Sequence, residues 1–381
     1  MALKILIAPD SFKDSINSTE FCDIAKRSIL SVIPSANIDC LPMADGGEGT
    51  IDVFRSQPGY YYKTKTVKGP IGEKVNAEYC IHSNTNTAII EMAQASGLQL
   101  VPNKLRDPMK TTSYGTGQLI LDAIKNDIKK IILFIGGSAT NDIGVGMLEA
   151  IGFKYYNSEN KIISGTVNNI DKIIRIDNSQ ISYLLEKTSF TVGCDVLNPL
   201  LGVNGATYSY GKQKGADRNQ LKKLEDHLKY FSKIAKQYNS IDFTNHEGAG
   251  AAGGVGFSAL SFLNAKFKPG FDLIEKRINL KNKIKDNKYD LIITGEGCID
   301  KQTEKGKLIK HLGETANSLS IPVFAFGGIV KENLKNLNLP GITILRQISP
   351  GNLDLSRAIL EAPLFLDKAI KEEIKEFVSS S

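Results

Sequence analysis

Four stretches of the sequence combine glycine with acidic, hydroxyl or lysine side chains directly behind an apolar run. In an open α/β sheet, ligands bind beyond the carboxyl ends of the strands, where helix N-termini offer free backbone N–H groups. Glycine, Ser and Asp also make ordinary turns and caps, so a single such turn could merely end a strand. Four turns that each add a carboxylate to a hydroxyl or a lysine favour a crevice for an anionic ligand. They are APDSFK from residue 8, ADGGEGT from residue 44, GGSATND from residue 136 and TGEGCID from residue 294.

The third turn follows KKIILFIG, which has the composition of one buried strand. Two adjacent glycines let backbone approach a phosphate closely, and the hydroxyl and amide side chains behind them can hydrogen-bond to it. The same side chains could instead cap the helix that begins at GVGMLEAIG. Of these two interpretations, we predict that the turn is a cradle for an anionic ligand. Its groups are the backbone of Gly136 and Gly137, the side chains of Ser138, Thr140 and Asn141, and, near a metal ion, Asp142.

The chemistry that such turns could serve is phosphoryl transfer. It needs lysine or backbone N–H groups on the phosphates, carboxylates for magnesium, and a carboxylate base for the acceptor hydroxyl proton. GxxxxGK[ST] and the HRD and DFG signatures are absent, so any kinase here uses another scaffold. Asp195 draws attention because it ends an apolar strand, where burial would be costly without a partner. The loop candidates are Lys13, Lys214, Lys305 and Lys307, and Asp10, Asp45, Glu48, Asp195, Glu296 and Asp300.

The stretch GAGAAGGVG offers a different function. Gly248, Gly250 and Gly253 have the GxGxxG spacing of a dinucleotide site, which would suit an oxidoreductase that acts on a small hydroxy acid. The preceding NSIDFTNHE is too polar for the buried strand that this motif requires. We therefore keep the dinucleotide-dependent oxidoreductase as the alternative. We expect the seven small residues from Gly248 onward to form a loop that faces a ligand and whose small side chains leave room for it.

The elements that must position these turns alternate between strand and helix. LKILIAP reads as a strand, and the helical pattern after it begins with Asn17 as N-cap and Glu20 as its acidic N3 partner. NIDCLPM is the next strand and leads into ADGGEGT. Such βα units pair their strands in parallel and place helices on both faces of the sheet.

The texture changes near Tyr60, where alternating residues and a Gly-Pro-Ile-Gly turn predict antiparallel strands. Strand and helix patterns resume in the last ninety or so residues. We predict a discontinuous Rossmann-like or flavodoxin-like α/β domain with a parallel sheet, formed by residues 1–62 and 288–381. Residues 63–287 form an inserted mixed α/β domain, with a cleft between the two.

Composition excludes several function classes. The 381 residues are 41% hydrophobic and 23% charged, and no apolar stretch reaches the roughly 18 residues that span a bilayer. The apolar N-terminal stretch is too short for a signal peptide, and the five scattered cysteines lack the spacing of zinc sites or disulfide frameworks, so we expect a cytoplasmic protein. The net charge of +6 suits an anionic substrate, but the lysines form no stripe for nucleic acid.

Ten blocks of the chain, in order, resemble the class I glycerate kinase family. The resemblance implies ATP-dependent phosphorylation of D-glycerate with magnesium, usually to 2-phosphoglycerate, by two α/β domains with a cleft between them; a homodimer is a further expectation. Either Arg106 or Lys214 would then pair with the glycerate carboxylate. A sugar-acid binding protein without catalysis is a third reading. The blocks are IAPDSFKDS, PMADGGEGT, GPIGEKVNAE, IEMAQASGLQLV, RDPMKTTSYGTGQLI, GGSATNDIGVGML, CDVLNPLLGVNGA, QKGAD, GAGAAGG and DLIITGEGCIDKQTEKGK.

Site residues follow from the resemblance position by position. Asp195 is the expected base or an orienter linked to the metal, and Lys13 and Asp45 are the other expected catalytic residues. Lys13 and the amides of residues 136–142 would hold phosphate, and Asp142 and Asp300 would bind the metal. The residues expected to bind glycerate or ATP are Asp10, Ser11, Gly46, Gly47, Glu48, Arg106, Gly136, Gly137, Ser138, Thr140, Asn141, Lys214, Gly295 and Glu296.

Four positions depart from the family pattern. Asp14 and Ile143 stand where glycine is usual, Lys212 replaces a proline, and Cys298 replaces the arginine after GEG. If that arginine normally touches phosphate, its loss weakens binding or passes the contact to Lys301.

Overall fold

The computed structural model describes residues 3–55, 57–301, 303–305, 308–351 and 353–380, apart from the side chains of residues 305, 334 and 380. Backbone contacts divide the chain into two compact units. Unit 1 comprises Met1–Asp45 and Ile274–Ser381, and unit 2 comprises Gly46–Leu273. The domain limits expected at residues 62 and 288 stay a prediction. Among the described residues, no helix combines the length and apolar character needed to cross a membrane.

Both strands and helices occur throughout the described chain. The strands are β1 (Lys4–Ile7), β2 (Asn37–Cys40), β3 (Tyr60–Lys68), β4 (Lys74–His82), β5 (Thr87–Glu91), β6 (Lys130–Phe134), β7 (Lys154–Tyr156), β8 (Ile162–Ile163), β9 (Arg175–Asp177), β10 (Ser189–Gly193), β11 (Lys266–Lys268), β12 (Leu291–Ile299), β13 (Val323–Val330) and β14 (Ile342–Gln347). The helices are α1 (Ser18–Val32), α2 (Ala93–Ser96), α3 (Tyr114–Lys125), α4 (Val145–Ile151), α5 (Ser182–Glu186), α6 (Ala206–Tyr210), α7 (Arg218–Asn239), α8 (Ala251–Leu263), α9 (Gly270–Ile278), α10 (Leu280–Asn287), α11 (Leu308–Asn317) and α12 (Leu355–Ser380).

Unit 1 contains a parallel sheet in the order β14-β13-β12-β1-β2. Residues Ile5–Ile7 of β1 pair with Leu291–Ile293 of β12, which confirms that both ends of the chain share one sheet. Ile5 and Ile7 belong to a core cluster with residues of α1 and α12, whereas Leu6 between them is equally buried outside that cluster. Both faces of the strand are therefore covered, as a parallel sheet requires.

Helix α1 begins where the sequence predicts. The side chain of Asn17 accepts a hydrogen bond of 2.8 Å from the backbone N–H of Glu20, so one free donor of the first turn is satisfied. Phe21 and Ile29 are buried on one face of the helix and join the core of unit 1.

Unit 2 contains a mixed sheet in the order β11-β10-β6-β5-β4-β3. The strands from β11 to β5 pair in parallel, and β4 is antiparallel to both β5 and β3. The predicted change to antiparallel strands near Tyr60 is thus confirmed, and the strand predicted at KKIILFIG is β6, buried from Ile131 onward. A small antiparallel sheet, β8-β7-β9, belongs to the same unit.

Adjacent parallel strands carry polar turns at their carboxyl ends in each unit. In unit 1, the neighbours β1 and β2 lead to Asp10 and Asp45, while β12 carries Glu296 near its own end. In unit 2, the neighbours β10, β6 and β5 lead to Asp195, to Gly136 and to Glu91. Parallel pairing brings these ends to one edge of each sheet, which is where an open α/β sheet binds its ligands.

Two of the positions that depart from the family pattern have left-handed backbone. Asp14 has a φ of 62° and Ile143 a φ of 51°. Glycine adopts such angles without strain, whereas residues with a β-carbon lose roughly 1–2 kcal/mol. The backbone therefore retains the conformation that glycine suits, although the side chains have changed.

We expect Asp14→Gly to raise the melting temperature and Asp14→Ala to lower it, because alanine keeps the β-carbon and lacks the polar group that tolerates this conformation. The gain for glycine is about 0.5–1 kcal/mol. Calorimetry of the three proteins measures it. Asp23→Gly, at an exposed site inside α1, is the matched control and should lose roughly 0.3 kcal/mol, because Asp is itself a poor helix former. A lower melting temperature for Asp14→Gly would contradict the prediction.

Candidate active site

Unit 1 gathers three carboxylates at one edge of its sheet. Asp10 follows β1, and its side chain accepts a hydrogen bond of 2.6 Å from the N–H of Ser11. Burial raises the pKa of Asp10 well above its ordinary value, and the nearby carboxylates of Asp45 and Glu296 raise it further. The positive charge of the exposed Lys13 acts in the opposite direction. These four expected site residues therefore interact electrostatically, and the ligand that suits them carries positive charge.

The rest of the loop after β12 braces this cluster. Glu296 accepts a hydrogen bond from the buried hydroxyl of Thr303. The ammonium of Lys331 lies 3.4 Å from the carboxylate of Asp300, and the thiol of Cys298 lies 3.8 Å from the same carboxylate. Lys331 is thus a cation beside Cys298 that the sequence reasoning missed when it considered Lys301. Lys307 lies outside the described residues.

Gly295 has a packing role in β12. A β-carbon at this position would lie 2.6 Å from the carbonyl oxygen of Phe326 and 2.8 Å from the ring of Phe21. Glycine is required there for close contact between protein groups. The expected role of Gly295 in ligand binding stays a prediction.

Two glycine turns of unit 2 lie against each other. A β-carbon on Gly136 would come within 2.6 Å of the Cα of Gly47, so only glycine permits this approach. Gly46 and Gly137 have φ values of 97° and 71°. The backbones of the two predicted turns therefore lie side by side, as an anion cradle requires.

A buried glutamate ties down the first of these turns. Glu91, at the end of β5, is fully buried and accepts hydrogen bonds from the N–H groups of Gly49, at 3.0 Å, and Ile51, at 3.2 Å. Burial raises its pKa to about 8, the two hydrogen bonds oppose this shift, and the charges of Asp52 and Glu48 add to it. Glu91 therefore holds the start of the 3-10 helix at Thr50–Phe54 in place.

A buried lysine holds the second turn. The side chain of Lys214 is 2% exposed, and its ammonium donates to the hydroxyl of Ser138 at 3.0 Å and to the carbonyl oxygen of Thr140 at 2.7 Å. Burial lowers the pKa of Lys214 to about 7, although the charge of Asp142 favours the protonated form. These contacts place a cation directly behind the glycine turn, and the expected pairing of Lys214 with a substrate carboxylate stays a prediction.

Two oxygen atoms beside this lysine lack partners. The hydroxyl of Thr140 and the amide oxygen of Asn141 are buried and have no hydrogen-bond partner within the described part of the chain. The amide nitrogen of Asn141 donates to Thr207 at 3.2 Å, which fixes the orientation of the group. Buried polar atoms are nearly always paired, so each such exception needs an explanation, and a ligand with hydroxyl groups provides one.

The carboxylate of Asp142 is already engaged by protein groups. One of its oxygens accepts hydrogen bonds of 2.8 Å from the N–H and the hydroxyl of Ser113, and the other accepts 3.0 Å from the N–H of Gly144. These contacts use both oxygens of a fully buried carboxylate. Asp142 therefore braces the loop to the start of α3, and its expected role as a metal ligand stays a prediction.

The acidic cluster of unit 1 fits magnesium better. Among the described residues, no group of three or more acidic, histidine or cysteine side chains has the geometry of a metal cage. Magnesium in kinases is held by one or two carboxylates together with substrate phosphates, so a full cage is unnecessary. The mutual repulsion between Asp10, Asp45 and Glu296 would be relieved by a divalent cation.

Asp195 is exposed at the end of β10, so its carboxylate avoids the cost of burial. Its carboxylate accepts a hydrogen bond of 2.9 Å from the N–H of Gly270, at the start of α9, which orients the side chain. Arg106 lies beside the lysine loop, since a β-carbon on Gly215 would be 2.1 Å from the Arg106 carbonyl oxygen. Glu48 is exposed on the first glycine turn.

The stretch GAGAAGG packs inside unit 2. No strand precedes it in residues 240–247, all of which are described, so it lacks the context of a dinucleotide site. Gly248 and Gly253 are buried, and a β-carbon on Gly253 would lie 2.1 Å from the carbonyl oxygen of Thr140. The expectation of a ligand-facing loop is wrong, because these small residues let the start of α8 approach the lysine-bound turn from behind.

Sequence reasoning missed four residues that position the site: Glu91, Ser113, Thr303 and Lys331. Glu91 carried a signal, since an acidic residue directly behind the buried AII run of β5 is unusual. Ser113 and Lys331 are ordinary polar residues whose partners, Asp142 and Asp300, are 29 and 31 residues away in sequence. Thr303 is an ordinary loop hydroxyl that pairs with Glu296 seven residues before it. Only the tertiary structure reveals them.

We expect Glu91→Gln to remove a pH dependence of stability. A carboxyl with a raised pKa is protonated in the folded protein and ionised in the unfolded chain between their two pKa values, so wild-type stability falls as pH rises. The slope is about 1.4 kcal/mol per pH unit, and the contribution is lost once pH passes about 8. Urea unfolding at pH 5.5, 6.5 and 7.5 measures the difference between wild type and variant, roughly 3 kcal/mol across the series.

The control is Glu186→Gln, which alters an exposed glutamate of α5. It should follow the wild-type pH dependence. If Glu91→Gln also follows it, Glu91 does not take up a proton on folding.

Comparison with known proteins agrees with this geometry. A model described as "Glycerate kinase family" matches residues 5–378. The chain is 40% identical over 356 residues to a glycerate kinase of Bacillus cereus, covering 93% of each chain, and 38% identical over 354 residues to glycerate 2-kinase of Escherichia coli, covering 92% of each. A crystal structure of putative glycerate kinase 2 from Salmonella typhimurium superposes with a TM-score of 0.80 at 33% identity, covering 100% of this chain and 99% of the other. The chain belongs to the glycerate kinase family.

Proposed function

We propose that this protein transfers the γ-phosphoryl group of ATP to D-glycerate. The observation that carries the proposal is the group around Lys214: a buried ammonium, an unpaired hydroxyl on Thr140 and an unpaired amide oxygen on Asn141. A ligand that satisfies all three has one negative charge and hydroxyl groups that donate hydrogen bonds. Glycerate has one carboxylate and two hydroxyls.

Each group has a role in this proposal. The ammonium of Lys214, with Arg106 beside its loop, pairs with the glycerate carboxylate. Asn141 accepts a hydrogen bond from one glycerate hydroxyl, and Thr140 hydrogen-bonds to the other. Backbone of the turns at Gly46–Gly47 and Gly136–Gly137, together with Lys13, binds phosphate.

The transfer itself moves one proton and one phosphoryl group. The acceptor oxygen of glycerate forms a bond to the γ-phosphorus, the bond from that phosphorus to the bridging oxygen of ADP breaks, and the hydroxyl proton passes to a carboxylate. Asp195 is the proposed base, because its carboxylate is exposed and is oriented by the hydrogen bond from the N–H of Gly270. Asp10 and Asp45, with Glu296 beside them, would hold magnesium, whose charge stabilises the phosphates when it is bound.

Finer features are also proposals. The name of the Escherichia coli relative, glycerate 2-kinase, supports phosphorylation at the 2-hydroxyl and hence 2-phosphoglycerate as the product. None of the five cysteines forms a disulfide, which supports the proposed cytoplasmic location. A homodimer is also proposed, and sedimentation analysis would measure the oligomeric state.

We expect purified protein to convert ATP and D-glycerate to ADP and 2-phosphoglycerate, identified by phosphorus NMR. Lys214→Met should reduce kcat/KM for glycerate about 100-fold, because a buried charged contact worth roughly 3 kcal/mol is lost. In wild type, kcat/KM should fall as pH rises above about 7, where the free enzyme loses the lysine proton, and this limb should be missing in the variant.

The matched control is Lys212→Met, which alters an exposed lysine of the same loop and should retain wild-type kinetics. Failure of the wild-type protein to consume ATP with any hydroxy acid would contradict the proposal; the oxidoreductase alternative has no support, since GAGAAGG lacks the preceding strand of a dinucleotide site. Glycerate binding without ATP consumption would leave a binding protein.

We expect Thr140→Val to raise the KM for glycerate about tenfold without lowering the melting temperature, because the hydroxyl has no partner until the ligand binds. Thr188→Val is the control: its hydroxyl donates to the carbonyl oxygen of Leu184 at 2.9 Å, so its loss should reduce stability by about 1 kcal/mol and leave KM unchanged. An unchanged KM for Thr140→Val would remove this hydroxyl from substrate recognition.

A further inference from the structure

Two cysteines of unit 1 meet where β1 and β2 end. Cys22 lies on α1, and Cys40 is the last residue of β2, where it pairs in register with Ile7 of β1. The carbonyl oxygen of Ile7 lies 3.8 Å from the sulfur of Cys22 and accepts the N–H of Leu41 at 2.8 Å. The sulfur of Cys22 is therefore placed directly over the end of β2, where Cys40 lies, and the two thiols interact electrostatically.

The two sulfurs differ in their surroundings. Cys40 is exposed, whereas Cys22 is 2% exposed. The neighbouring Cys22 thiol and the positive charge of Lys26 lower the pKa of Cys40, although its partial burial and the charges of Asp23 and Asp39 oppose them. The neighbouring Cys40, together with burial, raises the pKa of Cys22. An accessible thiol that loses its proton more readily than usual thus lies in front of a protected thiol, which is the arrangement of an attacking cysteine with a resolving partner.

We propose that Cys22 and Cys40 form a redox-sensitive site that a hydroperoxide converts reversibly to a disulfide. The thiolate of Cys40 attacks one peroxide oxygen, the O–O bond breaks, and the departing oxygen takes up a proton to leave as water or an alcohol. The sulfenic acid on Cys40 is then attacked by the sulfur of Cys22, which loses its proton. The S–S bond forms, the S–O bond breaks, and water leaves. The two thiols are oxidised by two electrons and the peroxide is reduced by two.

The position of the pair connects it to the acidic cluster. After Cys40 the chain continues through Met43, whose N–H donates to the carbonyl oxygen of Pro9 at 2.9 Å, to Asp45. Pro9 itself precedes Asp10. A disulfide between α1 and the end of β2 would restrain the segments that carry both carboxylates, so we expect oxidation to slow glycerate phosphorylation.

Peptide mapping without reductant tests the site independently of activity. Trypsin releases Cys22 in residues 14–26 and Cys40 in residues 28–55, so a disulfide appears as these two peptides joined with the loss of two hydrogens. We expect this species after treatment of the native protein with hydrogen peroxide, and its disappearance with dithiothreitol. Cys40→Ser and Cys22→Ala should each abolish it, whereas Cys298→Ser, which changes another partly exposed cysteine, should retain it.

Two outcomes would overturn the inference. Oxidation of Cys40 to sulfinic acid while Cys22 stays a free thiol would show that the two sulfurs do not react together. A disulfide that joins either residue to another cysteine would do the same. For the link to catalysis, we expect turnover to fall severalfold on oxidation and to recover with dithiothreitol, with no such fall in Cys40→Ser. Unchanged turnover in the fully oxidised protein would overturn that link.

Discussion

A lysine that is removed from water needs acceptors, and this requirement organises unit 2. The ammonium of Lys214 obtains them from the hydroxyl of Ser138 and the carbonyl oxygen of Thr140, which fixes the path of the glycine turn after β6. Asp142 secures the same turn from the other side through Ser113 and Gly144. Burial is costly for the Lys214 ammonium and lowers its pKa. An anionic ligand that binds beside this ammonium would therefore stabilise its charged form strongly.

The glycine turn after β6 determines which segments can pack against it. Its glycine residues allow backbone contact with the turn at Gly46–Gly47, and its far side receives the small residues at the start of α8. Any side chain at Gly136 or Gly253 would separate these segments. The polar atoms that stay unpaired after this packing, on Thr140 and Asn141, belong to the same turn that the lysine holds, and a bound substrate would supply their hydrogen bonds.

In unit 1 the charges that lie close together are carboxylates. Its carboxylates lie close enough that Asp45 and Glu296 raise the pKa of Asp10, and the protein offsets this repulsion only in part through Lys13 and the hydroxyl of Thr303. An acidic cluster that repels itself prefers a bound cation, whereas the buried lysine of unit 2 prefers a bound anion. A phosphoryl transfer to an organic acid uses both preferences.

The sequence by itself determined the alternation of strands and helices, the return of the chain to its first sheet, and the glycine turns, because hydrophobic periodicity, Asn17 as a cap and strand-ending glycines are local properties. It also placed Lys214, Asp10 and Glu296 among the candidates. Only the tertiary structure decided that Asp142 braces a loop, that Asp195 is exposed, and that GAGAAGG is packing, since hydrogen-bond partners and burial depend on residues far apart in the chain. Glu91 and Lys331 became visible for the same reason: a side chain's charge and partners are set by neighbours that sequence spacing does not specify.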